Sequence, residues 1–321
     1  MKSDDIRKSF IDFFVSKDHI EKKSSSLIPN DPTLLLTSAG MVQFKDYFLG
    51  NQNTNEKKLT TIQKCVRTSD IDIIGDTARH LSFFEMLGNF SIGEYFKKEA
   101  IEYAHTYVTE VLKIPENLLW YTVYKDDEEA EGIWINDIGI SSKRIQKGNE
   151  DNFWHMNIPG PCGPCTEIFY DRGAKYGKAG GPIGGSEDRY VEIWNLVFME
   201  LIQDKPYEVV DSLPNKNVDT GMGLERVAMV LQKKDSIFET DLFLPIINEI
   251  NLLHKTSYGK DEYIDKQTRI IADHLRATTF LLADGVVPTN ENRGYILRRL
   301  IRRSLRASNQ LNRKQNDLLS I

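Results

Sequence analysis

The chain has 321 residues, 40% apolar and 27% charged, with a net charge of −6 and three cysteines. Such a composition describes an ordinary soluble globular protein with room for a large core and about two domains, and it argues against a uniformly basic nucleic-acid binder. Three cysteines in so long a chain make no disulfide framework, and no signal peptide, bilayer-spanning run or lipidation signal is visible, so a reducing cytoplasmic setting without a membrane partner is expected.

Ser3-Asp4-Asp5 reads as a helix start, and Ile6, Phe10, Phe13 and Phe14 follow at spacings that share one face. After the break at Pro29–Pro32, Leu34–Thr37 reads as a short strand ended by Gly40, and Phe44, Tyr47 and Phe48 suggest a short helix. Thr60–Arg67 and Arg79–Met86 form two β-favouring arms joined by a polar loop containing Gly75. One arm offers the cation Arg67. The other places His80, Ser82, Phe84 and Met86 on one face, a pairing that suits a nucleotide, although either Phe83 or Phe84 can equally be core.

Ser91–Glu94 has the capping-box pattern ahead of a long helix through Ala100, Tyr107 and Val111; Leu119–Tyr124 then reads as a strand, and Asp126–Asp137 as a short acidic helix. Gly160–Cys165, with its Cys-x-x-Cys, reads as a rigid turn before a strand over Thr166–Asp171. A zinc site with His155 as third ligand is the competing reading. It lacks a second cysteine or histidine pair, so no structural zinc is expected in this portion. The glycine-rich 180–185 segment lacks the Lys-Ser/Thr of a phosphate-binding loop and reads as flexible. Tyr190–Leu201 is the most β-like run, in which Asn195 shares a face with Val197 and is either a satisfied core amide or a ligand contact.

Val218–Arg226 is the most constrained stretch: Gly221 and Gly223 sit where a strand feeds directly into a helix, so backbone can approach a ligand closely. Asp219, acceptor-only when ionised, suits an ammonium group. Arg226 falls in the first helical turn, where the helix dipole disfavours a cation, which suggests an anionic ligand beside it; a solvated arginine at an ordinary junction is the alternative. From about Asp241 the pattern is helical, over Leu242–Ile250, Ile270–Leu282 and a last helix opening at Asn290–Gly294. That helix carries an apolar stripe of Ile296, Leu297, Leu300, Ile301 and Leu305, with Arg298, Arg299, Arg302, Arg303 and Arg306 over the rest, before a polar tail. Its basic surface suits RNA phosphates, an anionic membrane or acidic neighbours, or is simply solvated.

The runs Asp31–Leu35 with Ala39-Gly40-Met41, Phe83–Ser91, Gly160–Asp171, Asp219–Arg226 and Asn290–Arg303 resemble the N-terminal half of bacterial alanyl-tRNA synthetases, in register along essentially the whole chain. The FFEMLGNFS and GPCGPCTEIFYD strings are the most specific. The resemblance implies an α+β fold: a class II synthetase-type, mainly antiparallel sheet flanked by helices, followed by an all-helical domain. It divides the chain into a catalytic domain over 1–240 and an incomplete helical tRNA-recognition domain over 241–321.

What the resemblance implies for the site is specific. Arg67, Asp219 and Arg226 carry catalysis; Arg67 holds the α-phosphate of ATP, Phe84 and Arg226 sandwich adenine, and Met86 and Gly223 complete the nucleotide site. Asp219 binds the ammonium of L-alanine, and Trp154, Asn195, Val197 and Gly221 shape a pocket for its methyl group. Mg²⁺ accompanies ATP, with Glu192 a weak candidate ligand. Asn292 and Arg303 match positions that read a G·U pair in the acceptor stem of tRNA(Ala), through the shallow minor groove that duplex RNA exposes. Relatives carry editing, zinc-binding and oligomerisation regions further along; within these 321 residues none is recognised, so a monomer and measurable activation of serine and glycine are expected. Two other readings stay open from sequence, a non-catalytic RNA-binding paralogue and an adenylate-forming ligase for a different acid. Retention of Arg67, Asp219 and Arg226 disfavours the first, and the basic Asn292–Arg306 segment disfavours the second.

Overall fold

Alternation along the two longest strands sorts the molecule into a packed side and an open side. Strands β8 (Tyr190–Lys205) and β9 (Glu208–Gly223) pair antiparallel in a long hairpin. Trp194, Leu196 and Phe198 of β8 and Val218 and Met222 of β9 enter the main core and are fully buried, while Asn195, Val197, Asp219 and Gly221, one residue out of step, take the opposite face. In the computed structural model, which describes residues 1–311, this hairpin is the centre of a nine-stranded sheet.

The remaining strands are β1 (Ile20–Lys22), β2 (Lys58–Val66), β3 (Phe83–Ile92), β4 (Leu119–Tyr124), β5 (Ile145–Gly148), β6 (Phe153–His155) and β7 (Gly160–Asp171). Their order is β1-β2-β3-β9-β8-β7-β4-β5, with β6 paired to β7; the β1–β2 and β4–β5 pairs are parallel and the rest antiparallel. The fold is therefore α+β, a mainly antiparallel sheet flanked by helices.

Helix α1 (Ser3–Val15) buries Ile6, Phe10 and Phe14 against the packed face, α2 (Lys45–Phe48) extends a 3₁₀ turn over Gly40–Phe44, and α3 (Lys97–Thr106) buries Ala100, Ile101 and Ala104. Short helices α4 (Glu128–Gly132) and α5 (Gly181–Gly184) precede α6 (Leu224–Leu231), which leaves β9 without a loop. Helices α7 (Leu244–His254), α8 (Glu262–Ala283) and α9 (Asn292–Gln310) then close the chain's described part. They pack through Phe243, Ile247 and Ile271 on Ile74, Leu81 and Met229, and through Ala277, Leu297 and Leu300 on Val66 and Phe83. No helix among the described residues is long and apolar enough to cross a membrane.

Several sequence expectations need correction. Leu34–Thr37 is not a strand; it makes isolated backbone bonds, Thr37 N–H to Leu27 and Val66 N–H to Thr37, too few to build a ladder. Ser91 caps no helix, because it belongs to β3 and its hydroxyl instead accepts the N–H groups of Glu94 and Tyr95 in the turn that follows. Gly160–Cys165 is strand rather than turn: β7 runs through it with a bulge between Cys162 and Cys165. Both cysteines are buried there, and burial pushes the Cys162 thiol up to about 11. The polar tail beyond α9, and with it the end of the 241–321 segment, lies outside the described residues.

Candidate active site

The open face of the central strands floors a cavity of about 290 Å³, near the lower end of small-molecule sites. Its lining includes Arg67, Phe84, Met86, Trp154, Glu192, Asn195, Val197, Asp219, Gly221, Gly223 and Arg226, so every residue the sequence assigned to ATP, alanine or catalysis meets in one place. Sheet register does the gathering: Asn195 lies opposite Gly221, Val197 opposite Asp219, and Met86 opposite Gly223. Glycine at 221 is what lets the Met86 thioether cover this floor, since a Cβ there would stand 2.8 Å from its sulfur.

Asp219 is 5% exposed, and among the described residues nothing donates to its Oδ1. Burial drives its carboxyl from the ordinary 3.8 up to about 7, with the nearby Arg67 cation opposing the rise. A buried acceptor with a free oxygen on a cavity wall is built for a donor that arrives with the ligand. Asn195 repeats the theme: its Nδ2 donates to Glu167 Oε1 at 3.4 Å while its Oδ1 has no donor among the described residues.

Around this acceptor pair stand cations and rings. Arg67, just past the end of β2, lies with its guanidinium 5.2 Å from the centroid of the Phe84 ring and donates to the Ser38 carbonyl at 3.2 Å. Arg226, in the first turn of α6, donates through Nη1 to the Glu192 carbonyl at 3.1 Å and to its carboxylate at 2.8 Å. The anion beside Arg226 is thus a carboxylate of β8. Trp154 reaches the cavity because β6 pairs with the bulged part of β7, where Gly163 crosses β8 so closely that a Cβ would fall 1.9 Å from the Phe198 carbonyl oxygen.

The wall carrying Phe84 rests on a buried charge network. Glu225 of α6 accepts both the Glu85 N–H and, at 2.7 Å, Arg276 of α8; Arg276 also meets Glu85 at 3.1 Å, and Arg7 of α1 meets Glu85 at 2.5 and 2.8 Å. Burial raises the Glu225 carboxyl and Arg276 holds it down, which is the expected tension for a buried pair.

The cavity also contains residues that sequence reasoning did not select, chiefly Glu167, Asp70 and Arg79. Glu167 accepts Thr122 at 2.9 Å and Asn152 at 3.1 Å in addition to Asn195, and burial followed by the Glu192 charge raises it. The available signal was a carboxylate in mid-strand, between Thr166 and Ile168. Among the described residues no three His, Cys, Asp or Glu side chains converge to hold a metal ion. Of the carboxylates that line the cavity, the one that sequence reasoning matched to a phosphate-borne divalent ion, Glu192, is already engaged by Arg226.

Asn292 and Arg303 lie away from this cavity, on α9. Eleven residues is about three helical turns, so the two share one face of the helix. Arg303 borders a separate groove with Asn290, Tyr295, Arg298, Arg299, Arg302 and Arg306; Asn292 is exposed and opens the helix in a left-handed backbone conformation, φ 53°.

A family profile described as tRNA synthetases class II (A) matches residues 5–321. The chain belongs to the class II tRNA synthetases. This synthetase chain is 51% identical over 318 residues to the "Alanine--tRNA ligase" of Thermobifida fusca, covering 95% of itself and 36% of that protein. It is 52% identical over 321 residues to the enzyme of the same name from Legionella pneumophila strain Lens, again covering 36% of the relative and 97% of itself. It thus spans about a third of the length of the curated relatives it matches. Among solved structures, pyrrolysyl-tRNA synthetase from Desulfitobacterium hafniense aligns over 74% of this synthetase and 72% of that chain, at 11% identity and a TM-score of 0.41.

Proposed function

We propose that this chain activates L-alanine with ATP to give alanyl adenylate and pyrophosphate, and passes the alanyl group to the 3′ end of tRNA(Ala). The observation that carries the reading is Asp219: a buried carboxylate with one oxygen undonated, on the wall of a cavity that also holds Arg67, Phe84 and Arg226. The names of the relatives supply the amino acid.

In this reading Asp219 and the free oxygen of Asn195 receive the alanine ammonium, and Trp154, Val197 and Gly221 bound the space for its methyl group. The alanine carboxylate then lies toward the nucleotide and attacks the α-phosphorus; the bond to pyrophosphate breaks, and no protein nucleophile is required. Arg67 neutralises charge on the phosphate in flight while Phe84 and Arg226 hold adenine between ring and guanidinium, with Met86 and Gly223 beneath. A magnesium ion accompanying ATP would be held by phosphate oxygens with Glu192 and would supply further charge neutralisation. The adenylate carbonyl is next attacked by a terminal ribose hydroxyl, and AMP leaves. Residues 1–240 do this chemistry, and residues from 241 onward present the acceptor stem, with Asn292 and Arg303 on its minor groove. The setting is the cytoplasm and the acting form a monomer.

A pocket this small separates alanine from glycine or serine by one methyl or one hydroxyl, worth about 1–3 kcal/mol, so those two acids are activated about 10–200-fold less efficiently. ATP–pyrophosphate exchange across the small amino acids tests the assignment. Exchange that does not depend on alanine would overturn it, and alanine-only exchange would overturn the specificity argument.

A further inference from the structure

A line of hydrogen bonds leaves the catalytic cavity, runs through the interior and surfaces on the basic helix. The Arg67 N–H donates to the Ser82 carbonyl at 2.9 Å. Ser82 in turn donates its own N–H to Asp273 Oδ1 at 2.9 Å and its hydroxyl to Asp273 Oδ2. His274 Nδ1 pairs with Asp273 Oδ2 at 2.8 Å, and Arg303 Nε donates to His274 Nε2 at 3.0 Å. Ser82, Asp273 and His274 are at most 1% exposed.

The line has a fixed sense. Arginine can only donate, so His274 Nε2 must present its lone pair, and the ring proton sits on Nδ1, where it is given to the carboxylate of Asp273. Neither neighbour can be satisfied by the other tautomer. At the surface end the partner is exchangeable: Arg303 Nη1 meets Asp72 at 3.2 Å, and this aspartate side chain is 69% exposed and shared with Arg299 at 2.7 Å. Asp72 belongs to the same 67–82 loop that begins at Arg67, a loop further pinned to α8 by Arg269 on the Gly75 carbonyl. A buried network whose outer end is an arginine on a solvent-facing acceptor is arranged to be opened from outside.

We infer that Asp273 and His274 are positioning residues that make the transfer step sensitive to the RNA contact at Arg303. This rests on the reading of Arg303 as a minor-groove contact. Duplex RNA that draws the guanidinium away removes the only donor His274 Nε2 has in this line, leaving a buried acceptor unpaired. The ring and Asp273 must then rearrange, and the Ser82 carbonyl that fixes the backbone of Arg67 moves with them. Recognition of the correct stem thereby appears in kcat, as required of binding energy that is realised only on the way to the transition state.

The test uses His274→Asn, which keeps a donor for Asp273 but removes the Arg303 contact, and His274→Gln, which does the reverse. Both are assayed with acceptor-stem duplexes bearing or lacking the G·U pair. With His274→Asn, which leaves the Asp273–Ser82–Arg67 segment paired, alanine-dependent pyrophosphate exchange is expected to stay within about twofold of wild type and KM for the duplex within about threefold. The kcat of transfer to the G·U duplex falls at least tenfold, and the kcat ratio between the two duplexes shrinks by the same factor. In an Arg303→Ala background, His274→Asn adds less than twofold. Parallel loss of exchange and transfer, or full additivity in the double variant, overturns the inference and leaves the line a structural staple. An unchanged kcat ratio between the two duplexes in Arg303→Ala alone instead overturns the RNA-contact reading beneath it. Should the His274 variants fail to fold, Arg303→Lys, which keeps the charge but loses the Nε donor, makes the same test from the surface: a kcat ratio between the two duplexes that shrinks while exchange is unchanged supports the line, and an unchanged ratio overturns it.

Discussion

Asp219→Asn separates what this residue does for binding from what it does to stability, and the two effects have opposite signs. The carboxyl rises from 3.8 to about 7 on folding because it is buried with one oxygen undonated. A group whose folded value is raised stabilises fully below its unfolded value and loses that contribution as pH climbs through the folded one, so the wild-type chain weakens between about pH 4 and pH 7. At about 1.36 kcal/mol per pH unit, the full swing is about 4 kcal/mol, of which about 3 kcal/mol falls between pH 5 and pH 8. Asparagine has nearly the same shape and no charge. Urea unfolding at pH 5 and pH 8 should therefore show the variant gaining about 3 kcal/mol relative to wild type across that interval, any constant difference between the two side chains cancelling. The same variant should lose alanine-dependent exchange at least about a hundredfold, because the ammonium then meets a neutral amide in a buried site. A stability difference that is flat with pH, or a variant that exchanges pyrophosphate normally, refutes the picture of Asp219 as a buried carboxylate held for an incoming cation.

The same titration predicts kinetics: kcat/KM for alanine, which reports the free enzyme, should fall about tenfold per pH unit below about pH 7, and a profile flat down to pH 5 would exclude Asp219 as the ammonium acceptor. Arg67→Ala should lower exchange by about 10²–10³-fold with little change in thermal stability, since its side chain is exposed and, in the function proposed, serves the phosphate. Gly163→Ala should cost about 3 kcal/mol or more in denaturant unfolding, because its Cβ would land on the Phe198 carbonyl of the neighbouring strand, where neither backbone can yield. Gly221→Ala should instead raise KM for alanine with little loss of stability, the new methyl meeting only the flexible thioether of Met86, and an unchanged KM or a stability loss as large as that of Gly163→Ala would argue against that account.

The parts of the site legible in the sequence were those fixed by local geometry. Asp219, Gly221, Gly223 and Arg226 stand at a strand-to-helix junction, and two glycines followed by a helical apolar pattern announce it. The hairpin bearing Phe84 and Met86 was legible for the same reason, although β3 continues to Ile92 through residues that mimic a capping box. There the ladder with β2 and β9 outweighed a local preference, and Ser91 used its hydroxyl in a tighter turn. The 160–165 stretch misled because two prolines and two glycines usually end a strand; a bulge absorbs them here, and a bulge depends on the facing strand, which no local pattern records. Glu167 was hidden for the same kind of reason, its donors coming from Thr122, Asn152 and Asn195, all far from it in sequence.

Arg7, Glu85, Glu225 and Arg276 lie on four different elements, yet each one's charge is tolerable indoors only because of the others. A drift at position 276, deep in the long helix, is therefore felt at Glu85, next to the Phe84 ring, and correcting it calls for a second change in a helix that begins at residue 3 or one that begins at residue 224. Such a quartet ages as a unit: whichever member alters first, the remedy lies 51 to 191 positions away along the chain and a few ångströms away in space.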